Sequence, residues 1–147
     1  MTAASLGLPD PTTSPAFYQG VAIKRAAAWL IDTVMIAIVS ALILPFTLFL
    51  GIFIFPLMML VTGFFYRWFT LTSGSSTWGM RMMAIQIRDK DGMKLSSETA
   101  LMHTLGFSIS IVVAPLQLVS IAMMLLTARG QGLTDHLLGT TAINRPA

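Results

Sequence analysis

From Ala26 to Phe65 the chain carries a single charged residue, Asp32, in a run built mainly of Leu, Ile, Val, Phe, Met and Ala. A stretch that long and apolar is enough to cross a bilayer twice, at about 20 residues per helix. Drawn as one straight helix it would be about 60 Å long, roughly twice the hydrocarbon thickness, so it must turn back on itself. Pro45, Gly51 and Pro56 are the available breakers, and the turn is expected between Leu44 and Gly51. Helix one then covers 22–44 and helix two 52–71, with Pro56 near the start of the second, where proline is tolerated. An acid at the depth of Asp32 costs about 3 kcal/mol on insertion scales, so it needs a partner or a task.

Composition agrees with a membrane solution. The chain is 55% hydrophobic and 10% charged, against about 25% charged in soluble domains, and its mean hydropathy is +0.78. Its length of 147 residues suits one domain. The net charge of +3 comes from Lys and Arg beside the apolar runs, with no basic stripe to follow a phosphate backbone, so no nucleic-acid partner is expected. The absence of cysteine removes disulfides, thiolate nucleophiles and Cys-ligated metals.

Charge placement gives an orientation. Lys24 and Arg25 stand at the start of helix one, while Arg67, Arg81, Arg88, Lys90 and Lys94 follow or close helix two, and the turn between the helices has none. The positive-inside rule then puts the N-terminus and the 72–96 connector in the cytoplasm. Trp29, Tyr66 and Trp68 are expected at the same interface. Residues 1–20 carry no Lys or Arg, lack an apolar core of signal-peptide length, and contain Pro9, Pro11 and Pro15. They read as an extended or disordered tail, or as an arm anchored on a partner by Phe17 and Tyr18.

The connector has its own order. TSGSSTWG at 72–79 is turn-rich, 82–88 alternates as a short strand, and Asp89-Lys90-Asp91-Gly92 is a tight turn with Gly92 suited to positive φ. Ser96 or Ser97 can cap the helix that follows, with Glu98 in its first turn. The third apolar region, 97–128, holds His103, Ser108, Ser110 and Gln117 and is broken near Pro115. Two shorter helices hinged there would return the 129–147 segment to the cytoplasm. The ending AINR near 142–145 is similar to AIQIR at 84–88, as if the two formed a small cytoplasmic sheet of 82–88 with 140–145. The expected fold is therefore all-α and membrane-embedded: a tight hairpin of two transmembrane helices, a broken third region, and a two-stranded element.

The strings KRAAAWLID, STWGMR followed by IQIRDKDG, and GQGLTDHLLGTTAIN, in that order and spacing, resemble the RDD family of small bacterial membrane proteins, named for one arginine and two aspartates. The resemblance covers 21–147 as one domain and implies that Arg25, Asp32 and Asp135 are the naming residues. His103 stands where the family usually has another arginine, and Met80 where a lysine is common before Arg81.

Read without the family, Arg25 and Asp32 lie about two helical turns apart on nearly one face, roughly 10 Å along the axis. Arg25 is expected to snorkel to headgroups and Asp32 to seek a donor from His103, the Asp135 region or Arg81. Asp135, after Gly130-Gln131-Gly132, is a candidate N-cap for a short helix at 136–138 or the second acid of a polar cluster. The candidate membrane cluster is thus Arg25, Asp32, His103 and Asp135, with Arg81, Gly79 and Gly132 secondary. His103 and His136 have no metal-ligand spacing, and the 11 methionines are adaptable packing rather than a relay, so no metal and no cofactor are expected. No catalytic motif is present and no enzyme is expected. The favoured function is an accessory or scaffolding membrane component, in a homo-oligomer or a larger complex, with Asp32 gluing helices. The alternative is an oligomeric proton- or cation-coupled transporter using Asp32.

Overall fold

The computed structural model describes residues 7–145. Helix α1 runs Val21–Ile43, and two short 3-10 turns at Leu44–Thr47 and Leu50–Ile54 reverse the chain into α2, Phe55–Gly74. The reversal is longer than expected: α2 starts at Phe55 rather than 52, because Pro56 occupies its first turn, and it runs to Gly74 rather than 71. Thr47 stitches the reversal, its hydroxyl bonding the Leu44 carbonyl and accepting from the Gly51 N–H.

Residues 78–82 form a short helix, α3, where a turn and the beginning of a strand are expected from sequence. Thr77 caps it by accepting from the Met80 N–H, and five residues are too few for helical periodicity to appear in the sequence. Strand β1 is consequently shorter, Ile85–Arg88, and pairs antiparallel with β2, Thr141–Asn144, with Ile87 opposite Ala142. The intervening turn has Gly92 at φ 77°, and Asp89 Oδ1 accepts from the N–H groups of Asp91 and Met93.

The third region is two helices, α4 at Ser97–Val112 and α5 at Ala114–Leu126, bent by 117° at Val113 just before Pro115. Ser96 Oγ caps α4 by accepting from Thr99. A short α6, Leu133–Leu138, then leads into β2. Because β2 pairs with β1, the C-terminal segment returns to the side that carries the connector.

Apolar residues are distributed in two ways. At the connector end, Val21, Ala28, Leu71, Met80, Ile85, Ile87, Leu95, Ala100 and Ala142 form a closed core against which Trp68 and Met83 pack. Along the helices and their reversal the large apolar side chains point outward instead, with Leu42 66% exposed on α1 and Phe46 87% in the reversal. Two helical stretches are long and apolar enough to cross a membrane, and the bent pair adds a broken third. The fold is a packed knob at one end of a helical assembly whose outer face suits lipid.

Residues 7–20 are not an extended tail. Leu8 is buried, Pro15–Phe17 forms a 3-10 turn, Tyr18 donates to the Pro9 carbonyl, and Asn144 Nδ2 donates to the carbonyls of Ala16 and Gln19. Asn144 supplies donors that the proline-rich segment needs for its free carbonyls, so the segment lies on the chain's own sheet. The rest of that expectation, at residues 1–6, and the last two residues of the C-terminal segment lie outside the described residues.

Candidate functional site

One face of α1 carries Val21, Arg25, Ala28 and Asp32, at spacings of three and four that align residues along a helix. Ala28 is fully buried and Asp32 is 4% exposed. The two charged residues of this face go to different partners.

Arg25 does not snorkel to headgroups. Its Nη1 bonds Asp135 Oδ2 at 2.7 Å and approaches the Gly130 carbonyl at 3.4 Å. Asp135 is 1% exposed and also takes His103 Nε2 at 2.9 Å and Thr140 Oγ1 at 2.7 Å on its other oxygen. A carboxylate only accepts, so His103 Nε2 carries the proton in this contact. Asp135 is not the N-cap of α6: Gly132 holds that position, and Asp135, in the first turn, reaches back to accept from the Gly132 N–H at 3.1 Å. This orientation frees the carboxylate to face α1 and α4 as well as its own backbone. Gly132 is tight against the side chains of Ser120 and Met124, which would have to shift to admit a β-carbon.

Burial pushes the Asp135 carboxyl up, but the charge of Arg25 and then the hydrogen bond from His103 outweigh it and hold the group well below the usual carboxylate range. A depressed pKa stabilises the fold above the unfolded value, and that contribution is lost as pH falls through the folded value. The melting-temperature gap between wild type and Asp135→Asn in detergent is therefore expected to be flat from pH 8 to about 5 and to narrow only below that, where the unfolded carboxyl titrates. A gap that closes between pH 8 and 6 would contradict this.

Asp32 finds none of its expected donors. Oδ1 accepts from Tyr66 Oη at 2.6 Å and the Gly79 N–H at 2.9 Å, and Oδ2 accepts from Thr77 Oγ1 at 2.6 Å. Tyr66, expected at the lipid interface, turns inward to do this. Thr77 serves twice, capping α3 through its lone pair and donating its proton to Asp32. A β-carbon on Gly79 would collide with the Ala28 carbonyl and crowd Asp32 Oδ1, so only glycine lets α3 approach α1 this closely. Arg81 stays outside both clusters, bonding the hydroxyls of Ser76 and Ser73 at the corner between α2 and α3.

The residue that the sequence understated is Arg67. Its charge was expected to mark the cytoplasmic end of helix two, yet it is 8% exposed, its guanidinium sits 4.0 Å above the Phe107 ring, and its Nε has no hydrogen-bond partner among the described residues. It lines two clefts with Asp32, of about 450 and 220 Å³, which share the wall of Trp29, Asp32, Arg67, Phe107 and Ile111. Arg25, His103 and Asp135 line the larger. Two arginines, two aspartates and one histidine thus surround one cleft, although Asp32 and Asp135 share no donor. No group of three His, Cys, Asp or Glu side chains converges on a metal-sized space among the described residues.

A model of the RDD family matches residues 20–139, which spans Arg25, Asp32, His103 and Asp135 and stops short of β2. No curated protein and no solved structure matches the chain.

Proposed function

The chain belongs to the RDD family, and on that premise we propose that it is an accessory or scaffolding component of the bacterial inner membrane, with the N-terminus, connector and C-terminus in the cytoplasm. The observation that carries this reading is that both buried acids are held by several protein donors: three on Asp32 and four on Asp135. An acid that shuttles protons or cations must exchange its ligands, whereas these acids tie α1 to α2, α3 and the α6 turn. The scaffold is to work as a homo-oligomer or inside a larger membrane complex, lipid covering its outer face, with no catalytic residue, cofactor or nucleic acid involved. The positive charge on the connector side supports the orientation.

One observation favours the alternative of an oligomeric proton- or cation-coupled transporter: the two clefts meet at Asp32 and Arg67. Purified protein in liposomes under a pH gradient separates the two. Wild type and Asp32→Asn are expected to show the same background cation flux. A gradient-driven flux that Asp32→Asn abolishes while assembly survives would overturn the scaffold reading.

A further inference from the structure

Arg67 is a buried cation whose Nε has no acceptor among the described residues, although a buried charge requires one. Stacking on Phe107 uses the face of the guanidinium and leaves the N–H edge free. Asp32 and Asp135 are near enough to attract its charge, but neither accepts a hydrogen bond from it among the described residues, and both hold donors of their own. Arg67 lies in the wall of the larger cleft, whose sides are mostly apolar: Ile23, Trp29, Ile111, Ile121 and Leu125. Helix α1 packs on α2 and α3, while α4 packs on α2, α5 and α6, so the cleft lies between α1 and the α4–α5–α6 group.

We propose that this cleft binds an anionic membrane lipid, its phosphate or carboxylate head on Arg67 and its acyl chain along Ile111, Ile121 and Leu125. A charged acceptor can take two parallel N–H donors from a guanidinium, the geometry that Arg supplies best. A helix from a second copy would cover the apolar sides but bring backbone groups already bonded within that helix, leaving Arg67 without an acceptor. A free inorganic anion would satisfy Arg67 and leave the apolar sides unfilled. The combination of one cation and a long apolar wall matches an amphiphile. The proposal goes beyond the scaffold reading and holds whether or not the chain moves ions.

The test is native mass spectrometry of delipidated full-length protein in a neutral detergent, titrated with lysophosphatidylglycerol, an uncharged monoacylglycerol or inorganic phosphate. One lysophosphatidylglycerol per chain is expected, with the other two probes at least ~10-fold weaker. Arg67→Gln should weaken that binding at least ~10-fold and Arg67→Lys less, because lysine keeps the charge but loses the fork. Ile121→Trp, which fills the chain side and leaves Arg67 intact, should weaken it as well and serves if Arg67→Gln fails to assemble. Equal binding by Arg67→Gln, or phosphate binding as tight as the lipid with no effect of Ile121→Trp, would overturn the proposal. So would a lipid-free dimer whose cross-links run through Ile121 and Leu125.

Discussion

Replacing Asp135 with alanine is expected to cost about 3–5 kcal/mol, the penalty for leaving one partner of a buried ion pair unmatched. The change strips Arg25 and His103 of their acceptor and releases the Thr140 hydroxyl and the Gly132 N–H together. Those groups belong to α1, α4, the segment before β2 and the start of α6, so the loss is spread over four parts of the knob. Native stabilities of about 5–15 kcal/mol leave little after such a loss. The readout is the urea or thermal midpoint of purified protein in detergent, where the variant should be largely unfolded at temperatures that wild type tolerates. Within this variant set Asp135→Asn should be milder, because the amide keeps one acceptor for Arg25 or His103.

Asp32→Ala is the second large effect, expected at about 3 kcal/mol from hydrogen bonds to a charged acceptor worth roughly 1.5–3 kcal/mol each and not additive. Here the orphaned donors are Tyr66 Oη, Thr77 Oγ1 and the Gly79 N–H. Since Thr77 also caps α3, the connector should loosen first. Amide hydrogen exchange at Gly79 and Met80 is expected to accelerate more than exchange in β1, whose ladder is anchored on β2. Uniform acceleration across the knob would mean that Asp32 does not specifically hold α3.

Element order and the hairpin were legible because they depend on runs and breakers: an apolar stretch with one charge, Pro45 to Pro56 at the reversal, Pro115 at the bend. The pairing of β1 with β2 was legible from the matching endings AIQIR and AINR. The acids' partners were not. Arg25 and Asp32 share a helix face, which suggested one cluster, but α3 inserts against Ala28 and takes Asp32, while the α6 turn takes Arg25. A five-residue helix has no periodicity to announce it, and Thr77 looked like one of several hydroxyls in a turn. Tyr66 and Arg67 were read as interface residues because aromatic and basic residues near a helix end usually are. Their inward orientation follows from the donors that Asp32 requires and from Phe107 beneath Arg67, neither of which is local in sequence. Asp135 reads from sequence as an N-cap or as the second acid of a polar cluster; it sits in the first turn of α6 and Gly132 takes the cap, since glycine can cap as well.

The most direct test of the claim that the buried charges are structural clamps is a double-mutant cycle between Arg25→Gln and Asp135→Asn, measured by reversible unfolding in detergent. Residues locked in one buried pair should couple by about 2 kcal/mol, so that the second substitution costs far less once the first is present. Additive costs, within about 0.5 kcal/mol, would contradict the clamp and leave both residues free for another role.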